Sequence, residues 1–432
     1  MIERVESDAA FAELALSAEL SRARLEPRHR GLATELSYGT LRLRGRLDAS
    51  IAQVCDRKLS VLDPAVRNVL RLGAYQLLFL TRVHDAAAVD ESVKLARWAG
   101  YSKATGFVNA VLRRLAKERE RLSFPVLEQD PLAYLETLGS LPTWLAQRWL
   151  DELGPEQAAA LAKALNRRPP RTVRVSPGAD RPSLAKRLGG RLCRYAPDGI
   201  TDLSRDPLAD PAFRAGEITI QDEASQLVGL LLDLQEGESV LDCCAAPGTK
   251  TAQLAQAVGP RGEVVALDLH THRLGLVRRT LERLNLKNTR VLERDATATL
   301  DLRGKTQFSK ILVDAPCTGL GVLARNPDAR WRLEPADVDR SAELQLKILE
   351  SVLRYLSPGG VCVYSVCTMT PEETSGVTDG ILANDAALKI SSAADFLPQP
   401  AKELVDSRGA LRTWPKKSNC DGFYAVRFER IG

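Results

Sequence analysis

Two cysteines occupy positions where a thiol could act as a nucleophile. Cys317 lies in VDAPCTG and Cys367 in VYSVCTMTPEET, and each follows an apolar run that predicts a buried strand. Because the carboxyl ends of parallel strands meet at one edge of a sheet, we expect both thiols at one cleft rather than as buried structural thiols. Thr370, Pro371 and Glu373 have the spacing of a helix start. A helix N-terminus so close to Cys367 favours its thiolate.

The stretch VLDCCAAPGTKT, from Val240 to Thr251, predicts a strand that turns sharply into a helix. Its single glycine, Gly248, excludes the GxGxxG turn of nicotinamide sites and the GxxxxGK loop of phosphate sites. Small side chains would let a ligand approach the backbone, and Asp268, at the end of EVVALD, could accept ribose hydroxyls. These features favour S-adenosylmethionine as cofactor over a strand-turn-helix without a ligand.

From Glu236 onward, strand-like and helix-like segments alternate, which predicts a mostly parallel α/β sheet covered on both faces. The predicted strands are SVLD, EVVALD, TRVLERD, SKILVD and VCVYSVC, and a β-like FYAVRF follows near residue 428. Four of them are predicted to end in aspartate: Asp242, Asp268, Asp295 and Asp314. A row of strand-terminal acids indicates one ligand-binding edge.

A thiolate beside a sulfonium methyl donor indicates methylation of a pyrimidine at carbon 5. This carbon is too electron-poor to attack a methyl group until a thiolate has added to carbon 6. Asp314 is placed to stabilise the proton gained by ring nitrogen 3. Exocyclic amino groups need no covalent catalyst, and their methyltransferases typically carry Pro-Pro and an aromatic residue where this chain has DAPC. Composition and spacing do not choose between Cys317 and Cys367 as the attacking thiol.

The composition is that of an ordinary globular protein with 432 residues, 44% hydrophobic and 27% charged, which predicts two or three domains. The net charge of +5 is mild. The amino-terminal MIERVESDAAFAEL does not resemble a signal peptide, and no apolar run approaches the roughly 20 residues that span a bilayer. We therefore expect a cytoplasmic protein without a membrane partner.

The eight cysteines predict neither a disulfide scaffold nor a metal site. No CxxC pair occurs, and only four histidines are present, so zinc is not expected. Four of the thiols are predicted to be small buried hydrophobic side chains: Cys55, Cys193, Cys362 and Cys420.

Residues 1–140 are predicted to form an all-α domain of five or six helices. Ser7 and Asp85 are candidate N-caps, and Asp63 followed by Pro64 is a further helix start. Several helix faces are basic, for which solvation and RNA contact are both open interpretations: Arg42, Arg44, Arg46, Arg113, Arg114, Lys117 and Arg119.

Residues 141–235 are predicted to contain two further helices and a small α+β subdomain. Basic residues dominate between Lys163 and Arg194, against the single acid Asp180. This imbalance favours contact with an RNA phosphate backbone over a merely solvated face. The first candidates for such contact are Arg167, Arg168, Arg171 and Arg174.

Five motifs carry a resemblance to a known family: DCCAAPGTKT, DAPCTG, GVLARNPDARW, VYSVCTMTPEE and DGFYAVRF. In this order they resemble the signatures of bacterial RNA cytosine-5 methyltransferases, and the resemblance covers nearly the whole chain. It implies a NusB-like helical domain at 1–140, a small RNA-binding subdomain within 141–235 and a Rossmann-like methyltransferase domain at 236–432. It also implies small-subunit (16S) ribosomal RNA as the substrate.

The resemblance also implies roles for individual residues. The cofactor-binding positions carried over are Cys244, Ala245, Ala246, Pro247, Gly248, Thr249, Lys250, Asp268, Asp295 and Asp314. Asp268 is expected on the ribose, Asp295 toward the adenine, and Asp314 near both the methionine and the target base. The nucleophile of the family corresponds to Cys367, and Cys317 is expected to assist product release. In DNA cytosine-5 methyltransferases the Pro-Cys cysteine attacks instead, so this assignment follows from the resemblance.

Two residues depart from the family pattern. Thr249 stands where the family usually has Gly, and Val366 replaces the usual Thr before the nucleophile. The first is expected to tighten the cofactor turn, and the second removes a hydroxyl near the thiolate. Both are expected to affect rates more than the existence of activity.

Two alternative functions remain at this point. The first is a cytosine-5 methyltransferase of transfer RNA, because backbone contacts carry no sequence information. The second is a non-catalytic RNA-binding assembly factor, which the retained acids and thiols disfavour. Nothing in the sequence implies an oligomer, and a monomer is expected.

Overall fold

The computed structural model describes residues 1–8, 10–23, 25–302, 304 and 306–431. It divides into two compact units, of which the first is Met1–Arg168 with Leu323–Pro335 and the second is Pro169–Val322 with Ala336–Gly432. The division therefore falls at residues 168 and 169, beyond the expected boundary at residues 140 and 141. The motif segment 323–335 also belongs to the first unit.

The α-helices, in chain order, are α1 (Ile2–Ser7), α2 (Ala12–Ala23), α3 (Pro27–Arg42), α4 (Arg44–Ala52), α5 (Pro64–Phe79), α6 (Asp85–Trp98), α7 (Thr105–Glu118), α8 (Pro131–Thr137), α9 (Thr143–Leu153), α10 (Pro155–Leu165), α11 (Arg181–Leu188), α12 (Pro211–Arg214), α13 (Glu223–Leu230), α14 (Thr249–Val258), α15 (Thr271–Arg283), α16 (Ala329–Arg332), α17 (Pro335–Val352), α18 (Val377–Asn384) and α19 (Pro415–Ser418).

The strands are β1 (Val173–Val175), β2 (Arg191–Leu192), β3 (Gly199–Thr201), β4 (Ile218–Ile220), β5 (Ser239–Asp242), β6 (Glu263–Asp268), β7 (Thr289–Glu293), β8 (Phe308–Asp314), β9 (Leu356–Val366), β10 (Leu388–Ser391), β11 (Leu411–Arg412) and β12 (Tyr424–Arg430). A π-helical turn, Glu372–Gly376, precedes α18.

The first unit is built from helices packed around buried aliphatic side chains such as Leu47, Leu70 and Leu112. Eight α-helices occur in the described part of residues 1–140, against the five or six that the sequence predicts. The predicted start of α5 is confirmed, because Asp63 accepts a hydrogen bond from the Ala65 amide. Two other predicted caps are wrong, and both residues lie inside helices: Ser7 ends α1 and Asp85 begins α6.

The segment Leu323–Pro335 is held in the first unit by a buried arginine. Arg330 is 0% exposed, and its guanidinium donates to the carbonyls of Arg42 and Ser140 at 3.2 and 3.1 Å and to Asn166 Oδ1 at 2.7 Å. Burial lowers the pKa of Arg330 to about 9. The Trp331 indole also donates to a main-chain carbonyl, that of Leu41, at 2.6 Å. These contacts explain why the segment folds with helices far away in sequence.

The second unit begins with a small antiparallel sheet. Its strand order within the described residues is β2-β3-β1-β4, with α11 packed against it through Leu184 and Leu188. The α+β subdomain predicted from the sequence is therefore present.

The large sheet of the second unit has the strand order β10-β12-β9-β8-β5-β6-β7 in the described residues, with β11 paired to β12. Strands β5 to β9 are parallel, and β12 pairs antiparallel with β9 at one side. β10 pairs antiparallel with β12 and therefore runs in the same direction as β5 to β9. Buried side chains of α13 and α14 pack on one face, and those of α17 and α18 on the other. The α/β class with a mostly parallel sheet is confirmed.

The strand order reverses at β5, which pairs with β6 on one side and β8 on the other. In open α/β sheets, ligands bind beyond the carboxyl ends of the strands at such a reversal. We therefore expect a ligand site at the turn that follows β5. No helix in the described part of the chain is long and apolar enough to span a bilayer.

Candidate active site

The turn after β5 requires glycine at one position. Gly248 has a φ of +103°, and a Cβ atom there would lie 2.9 Å from the Val277 main chain. Helix α14 begins at the next residue, Thr249. The close approach leaves bare backbone at a helix N-terminus, which can accept a ligand.

Asp242, at the end of β5, is a buried acid below this turn. Its Oδ2 accepts from Thr251 Oγ1 at 2.7 Å, whereas its Oδ1 has no hydrogen-bond partner among the described residues. Burial raises the pKa of Asp242 to about 7. The sequence identifies Asp242 only as one of the strand-terminal acids, because burial and the missing partner are not visible in a motif.

Asp268, at the end of β6, contacts the cofactor turn directly. Its Oδ2 accepts from the Ala246 amide at 3.3 Å and lies 3.5 Å from Arg273 Nη1. Its Oδ1 accepts from the His270 amide at 3.0 Å. The Asp268 carboxylate therefore adjoins the turn that follows β5.

Asp295 is not at a strand end, because β7 stops at Glu293. The exposed Asp295 carboxylate caps its own turn instead, and accepts from the amide and hydroxyl of Thr297 at 2.9 and 2.7 Å. The prediction that β7 ends in Asp295 is wrong. The residue still follows the strand beside β6, and the Arg294 amide donates to the Asp268 carbonyl at 3.2 Å.

Asp314, at the end of β8, is tied to the cofactor turn by an ion pair. Its Oδ2 lies 2.8 Å from Lys250 Nζ, and its Oδ1 accepts from Ser365 Oγ at 2.7 Å. The Lys250 ammonium also lies 5.1 Å from the centre of the Phe423 ring. Sequence reasoning places Lys250 only in the cofactor turn and misses this pairing, which links side chains on α14, β8 and β9.

The two candidate nucleophiles are brought together. Cys317 Sγ and Cys367 Sγ lie 3.3 Å apart, and both side chains are partly exposed. The hydrogen bond with Cys367 and burial raise the pKa of the Cys317 thiol. The two sulfurs lie within hydrogen-bonding distance, and the raised pKa means that Cys317 keeps its proton to higher pH than a free cysteine does.

The remaining thiols lie in less reactive surroundings. Burial raises the pKa of Cys243 and of Cys244. The predicted burial of Cys193, Cys362 and Cys420 is confirmed, whereas Cys55 is partly exposed and that prediction is wrong. All eight thiols are free.

The predicted helix-start box after Cys367 does not form. The chain enters a π-helical turn at Glu372, and Thr370 Oγ1 donates to the Glu373 carboxylate at 2.9 Å instead of capping a backbone amide. Glu373 is buried and also accepts from the Thr318 amide, beside the other thiol, at 2.9 Å. The sequence could not show this contact, because Thr318 is distant along the chain.

Two glycines fix the loops of the thiols to a neighbouring loop. The Gly321 amide donates to the Cys367 carbonyl at 3.0 Å, and the Gly422 amide donates to the Gly321 carbonyl at 2.9 Å. A Cβ atom on Gly321 would lie 2.1 Å from the Gly422 carbonyl oxygen. The DGF motif therefore packs against the loop of Cys317 as a backbone contact that excludes side chains.

The basic stretch is only partly a surface. Arg174 is 3% exposed, and its guanidinium donates to Gln221 Oε1 at 2.8 Å and Gln256 Oε1 at 2.5 Å. Burial lowers its pKa to about 10. The prediction that Arg174 contacts phosphate is therefore wrong, whereas Arg171 and Lys186 are exposed on the second unit. Three further members belong to the first unit: Lys163, Arg167 and Arg168.

The residues around β5 fit S-adenosylmethionine. Gly248 keeps the turn open, Asp268 offers a carboxylate at its backbone, and Asp242 Oδ1 is an unpartnered acceptor beneath it. No group of three or more His, Cys, Asp or Glu side chains in the described part of the chain is arranged to hold a metal ion. A sheet of this order with these features defines a methyltransferase dependent on S-adenosylmethionine.

Comparison with known proteins makes the class specific. Residues 229–429 match the family described as 16S rRNA methyltransferase RsmB/F, and residues 1–117 match the NusB family. The chain is 34% identical to the probable ribosomal RNA small subunit methyltransferase B of Bacillus subtilis (strain 168), over 99% of this chain and 97% of that protein. The chain therefore belongs to the ribosomal RNA small subunit methyltransferase B family, whose cofactor is S-adenosylmethionine.

Two further relatives agree with this assignment. The ribosomal RNA small subunit methyltransferase B of Escherichia coli O127:H6 (strain E2348/69 / EPEC) is 35% identical over 94% of this chain and 91% of that protein. The crystal structure of a methyltransferase homolog protein from Pyrococcus horikoshii aligns with a TM-score of 0.59 at 29% identity. It covers 70% of this chain and 99% of that one.

Proposed function

We propose that this protein methylates carbon 5 of a cytosine in small-subunit ribosomal RNA through a covalent cysteine adduct. The observation that carries the proposal is the pair of thiols, Cys317 and Cys367, 3.3 Å apart just beyond the ends of β8 and β9. Their strands neighbour β5, where the cofactor turn begins. Methylation of an exocyclic amino group would need no thiol pair.

Cys367 is proposed as the nucleophile. As a thiolate it adds to carbon 6 of cytosine, and the electron pair of the 5,6 double bond gives carbon 5 enamine character. Asp314 is proposed to stabilise the proton that ring nitrogen 3 gains, since each of its oxygens keeps a lone pair beyond the bonds from Lys250 and Ser365. S-adenosylmethionine, when bound, supplies an electrophilic methyl group for carbon 5.

Cys317 is proposed to act in the second half of the reaction. Loss of the carbon 5 proton to a base and departure of the Cys367 thiolate restore the 5,6 double bond and release the product. The raised pKa of Cys317 supports this division of roles, because a thiol that stays protonated is a poor first nucleophile.

The cofactor residues are proposed in the same way. The turn from Cys244 to Lys250 would hold the methionine half, with Asp268 accepting from the ribose and Asp295 reaching the adenine. Of these, the Asp268 carboxylate is supported by its contact with the Ala246 amide, whereas the Lys250 ammonium is engaged with Asp314. We therefore propose that Lys250 acts mainly by orienting Asp314.

The RNA substrate is proposed from the relatives and from charge. Methyltransferases of small-subunit ribosomal RNA are the named relatives, and exposed basic side chains on the second unit, Arg171 and Lys186, suit a phosphate backbone. Ribosomal RNA is made and assembled in the cytoplasm of bacteria, so we propose that the protein acts there.

The test is release of tritium from carbon 5 of cytosine in small-subunit RNA. The proposal predicts one tritium released for each methyl group transferred. Methyl transfer to this RNA without tritium release would contradict the carbon 5 position. Release from transfer RNA alone would contradict the substrate.

A further inference from the structure

Glu373 is a buried carboxylate next to the thiol pair, and four hydrogen bonds fill its two oxygens. Oε1 accepts from the Thr318 amide at 2.9 Å and from Gln345 Nε2 at 3.0 Å. Oε2 accepts from the hydroxyls of Thr318 at 2.5 Å and Thr370 at 2.9 Å. All four donors are uncharged groups. Burying the Glu373 carboxylate among them therefore costs more free energy than burying an amide side chain at the same position would.

The hydrogen bonds of Glu373 connect the loops that carry the two thiols. Thr318 directly follows Cys317, and Thr368 directly follows Cys367. The Thr318 and Thr368 hydroxyls lie 3.1 Å apart. Because Glu373 belongs to the second loop and binds Thr318 twice, it ties the residue beside one thiol to the loop of the other.

Two buried side chains, Gln345 and Tyr364, extend the hydrogen-bond network around Glu373. Gln345 Nε2 also donates to the Pro316 carbonyl at 2.9 Å. The Tyr364 hydroxyl donates to Gln345 Oε1 at 2.8 Å and contacts the Glu373 carbonyl at 2.6 Å. Since Gln345 and Tyr364 are fully buried, the carboxylate sits in a network whose donors are fixed in direction.

We propose that Glu373 is a positioning residue that keeps Cys317 and Cys367 together at one pyrimidine ring. This inference rests on the proposed cysteine-adduct function, in which one thiol acts at carbon 6 and the other assists at the neighbouring carbon 5. Both thiols must reach adjacent atoms, so a displacement of about 1 Å between the loops is expected to cost on the order of 100-fold in rate.

The charge of Glu373 also bears on the pKa of Cys317. The titratable groups that face Cys317 are Cys367, Glu373 and Tyr364. The hydrogen bond with Cys367, burial and the charges of Cys367 and Glu373 together raise the pKa of Cys317. An uncharged residue at position 373 would therefore let Cys317 ionise at lower pH.

The first experiment compares Glu373→Gln, which keeps the shape and removes the charge, with the control Asp379→Asn on α18. Asp379 is exposed and pairs with Arg408, so its substitution removes a carboxylate that has no link to the thiols. We expect Glu373→Gln to lower kcat by about tenfold or more, with KM for RNA and Kd for S-adenosylmethionine within about twofold of the unchanged protein. The control should match the unchanged protein throughout.

A second readout follows the thiols without methyl transfer. The pH dependence of iodoacetamide modification is measured separately for Cys317 and Cys367 by peptide mass spectrometry. Glu373→Gln should shift the profile of Cys317 to lower pH, whereas Asp379→Asn should not. A merely structural role for Glu373 would leave the Cys317 profile unchanged in a folded variant.

A matched pair at Thr318 covers the case in which Glu373→Gln fails to fold. Thr318→Ser keeps the hydroxyl that binds Glu373 and should retain kcat within about threefold, whereas Thr318→Val removes it and should lose about tenfold or more. Equal kcat in the two Thr318 variants, or unchanged kcat and thiol profiles in folded Glu373→Gln, would overturn the proposal. If the unchanged protein released no tritium from cytosine, the proposed function would fail instead, and the thiol profiles would still report on Glu373.

Discussion

Asp242 and Asp314 both end strands of the large sheet, yet their carboxyls lie in different surroundings. Asp242 is buried with one hydroxyl donor, and burial raises its pKa to about 7. Asp314 is partly exposed and faces the Lys250 ammonium at 2.8 Å. Two acids in such different environments suit different tasks. Asp314 is the one proposed to act near the substrate, whereas Asp242 gains its charge near neutral pH.

The pKa of Asp242 predicts how its contribution to stability changes with pH. The folded value of about 7 exceeds the unfolded value of 3.8, so the folded state holds a proton between these pH values. The contribution is present below about pH 4 and is lost as pH rises through about 7. In Asp242→Asn the unfolding free energy should therefore fall less steeply over this range, by up to about 1.4 kcal/mol per pH unit. Urea denaturation at several pH values measures this, and parallel profiles for the two proteins would contradict the assignment.

Substitutions of Asp268 are expected to change the affinity for S-adenosylmethionine. An anion that accepts from ribose hydroxyls makes charge-assisted hydrogen bonds, so Asp268→Ala should weaken S-adenosylmethionine binding by about 1.5–3 kcal/mol. Asp268→Asn keeps one acceptor and should lose less. Calorimetric titration of both variants gives the order, with thermal unfolding as the check on folding. Equal affinity in all three proteins would remove Asp268 from the cofactor site.

The sequence predicts the end of a strand best where an apolar run stops abruptly at a polar residue. β5 and β6 end at Asp242 and Asp268 as predicted, because SVLD and EVVALD change abruptly from apolar to acidic. β7 stops at Glu293, and its predicted end is wrong because charged residues after Leu292 give no sharp boundary. β10 and β11 have only four and two residues, and sequence reasoning misses them because such short segments give little periodic signal.

The sequence also predicts only part of the candidate site. Strand order and register place the two thiols on neighbouring loops, as the motif spacing predicts. The hydrogen bonds between Thr318 and Glu373, and the ion pair of Lys250 with Asp314, join residues far apart in the sequence. Their partners are chosen by packing, so no local pattern reveals them.

Burial also changes the prediction for the basic stretch. Exposed Arg171 and Lys186 on the second unit remain candidates for phosphate binding, whereas Arg174 on β1 is part of the interior. Replacing both exposed residues by Glu should weaken RNA binding and reduce the slope of log K against log salt by about one for each phosphate that is no longer neutralised. Cofactor affinity should stay unchanged. Filter binding at several salt concentrations measures the slope, and an unaltered slope would leave these residues as a solvated face.

The second unit is interrupted after Val322 and resumes at Ala336. The segment between them, Leu323–Pro335, folds with the helices of the first unit. The sequence shows the segment only as a motif, GVLARNPDARW. Its place depends on Arg330, whose guanidinium reaches carbonyls of Arg42 and Ser140. Hydrogen bonds between one buried side chain and distant backbone carbonyls leave no periodic pattern in the sequence, so the position of this segment could not be predicted.

The two thiols are proposed to take different steps of the reaction, and covalent trapping tests this. Cys317→Ser should still attack and methylate but fail to release the RNA, leaving a complex that survives denaturing gel electrophoresis only when S-adenosylmethionine is present. Cys367→Ser should form no complex and transfer no methyl group, because a serine hydroxyl is far less acidic than a thiol. The complex should form best where the cytosine is unpaired, since the base must leave its stack. Trapping by Cys367→Ser and none by Cys317→Ser would contradict this assignment and reverse the two roles.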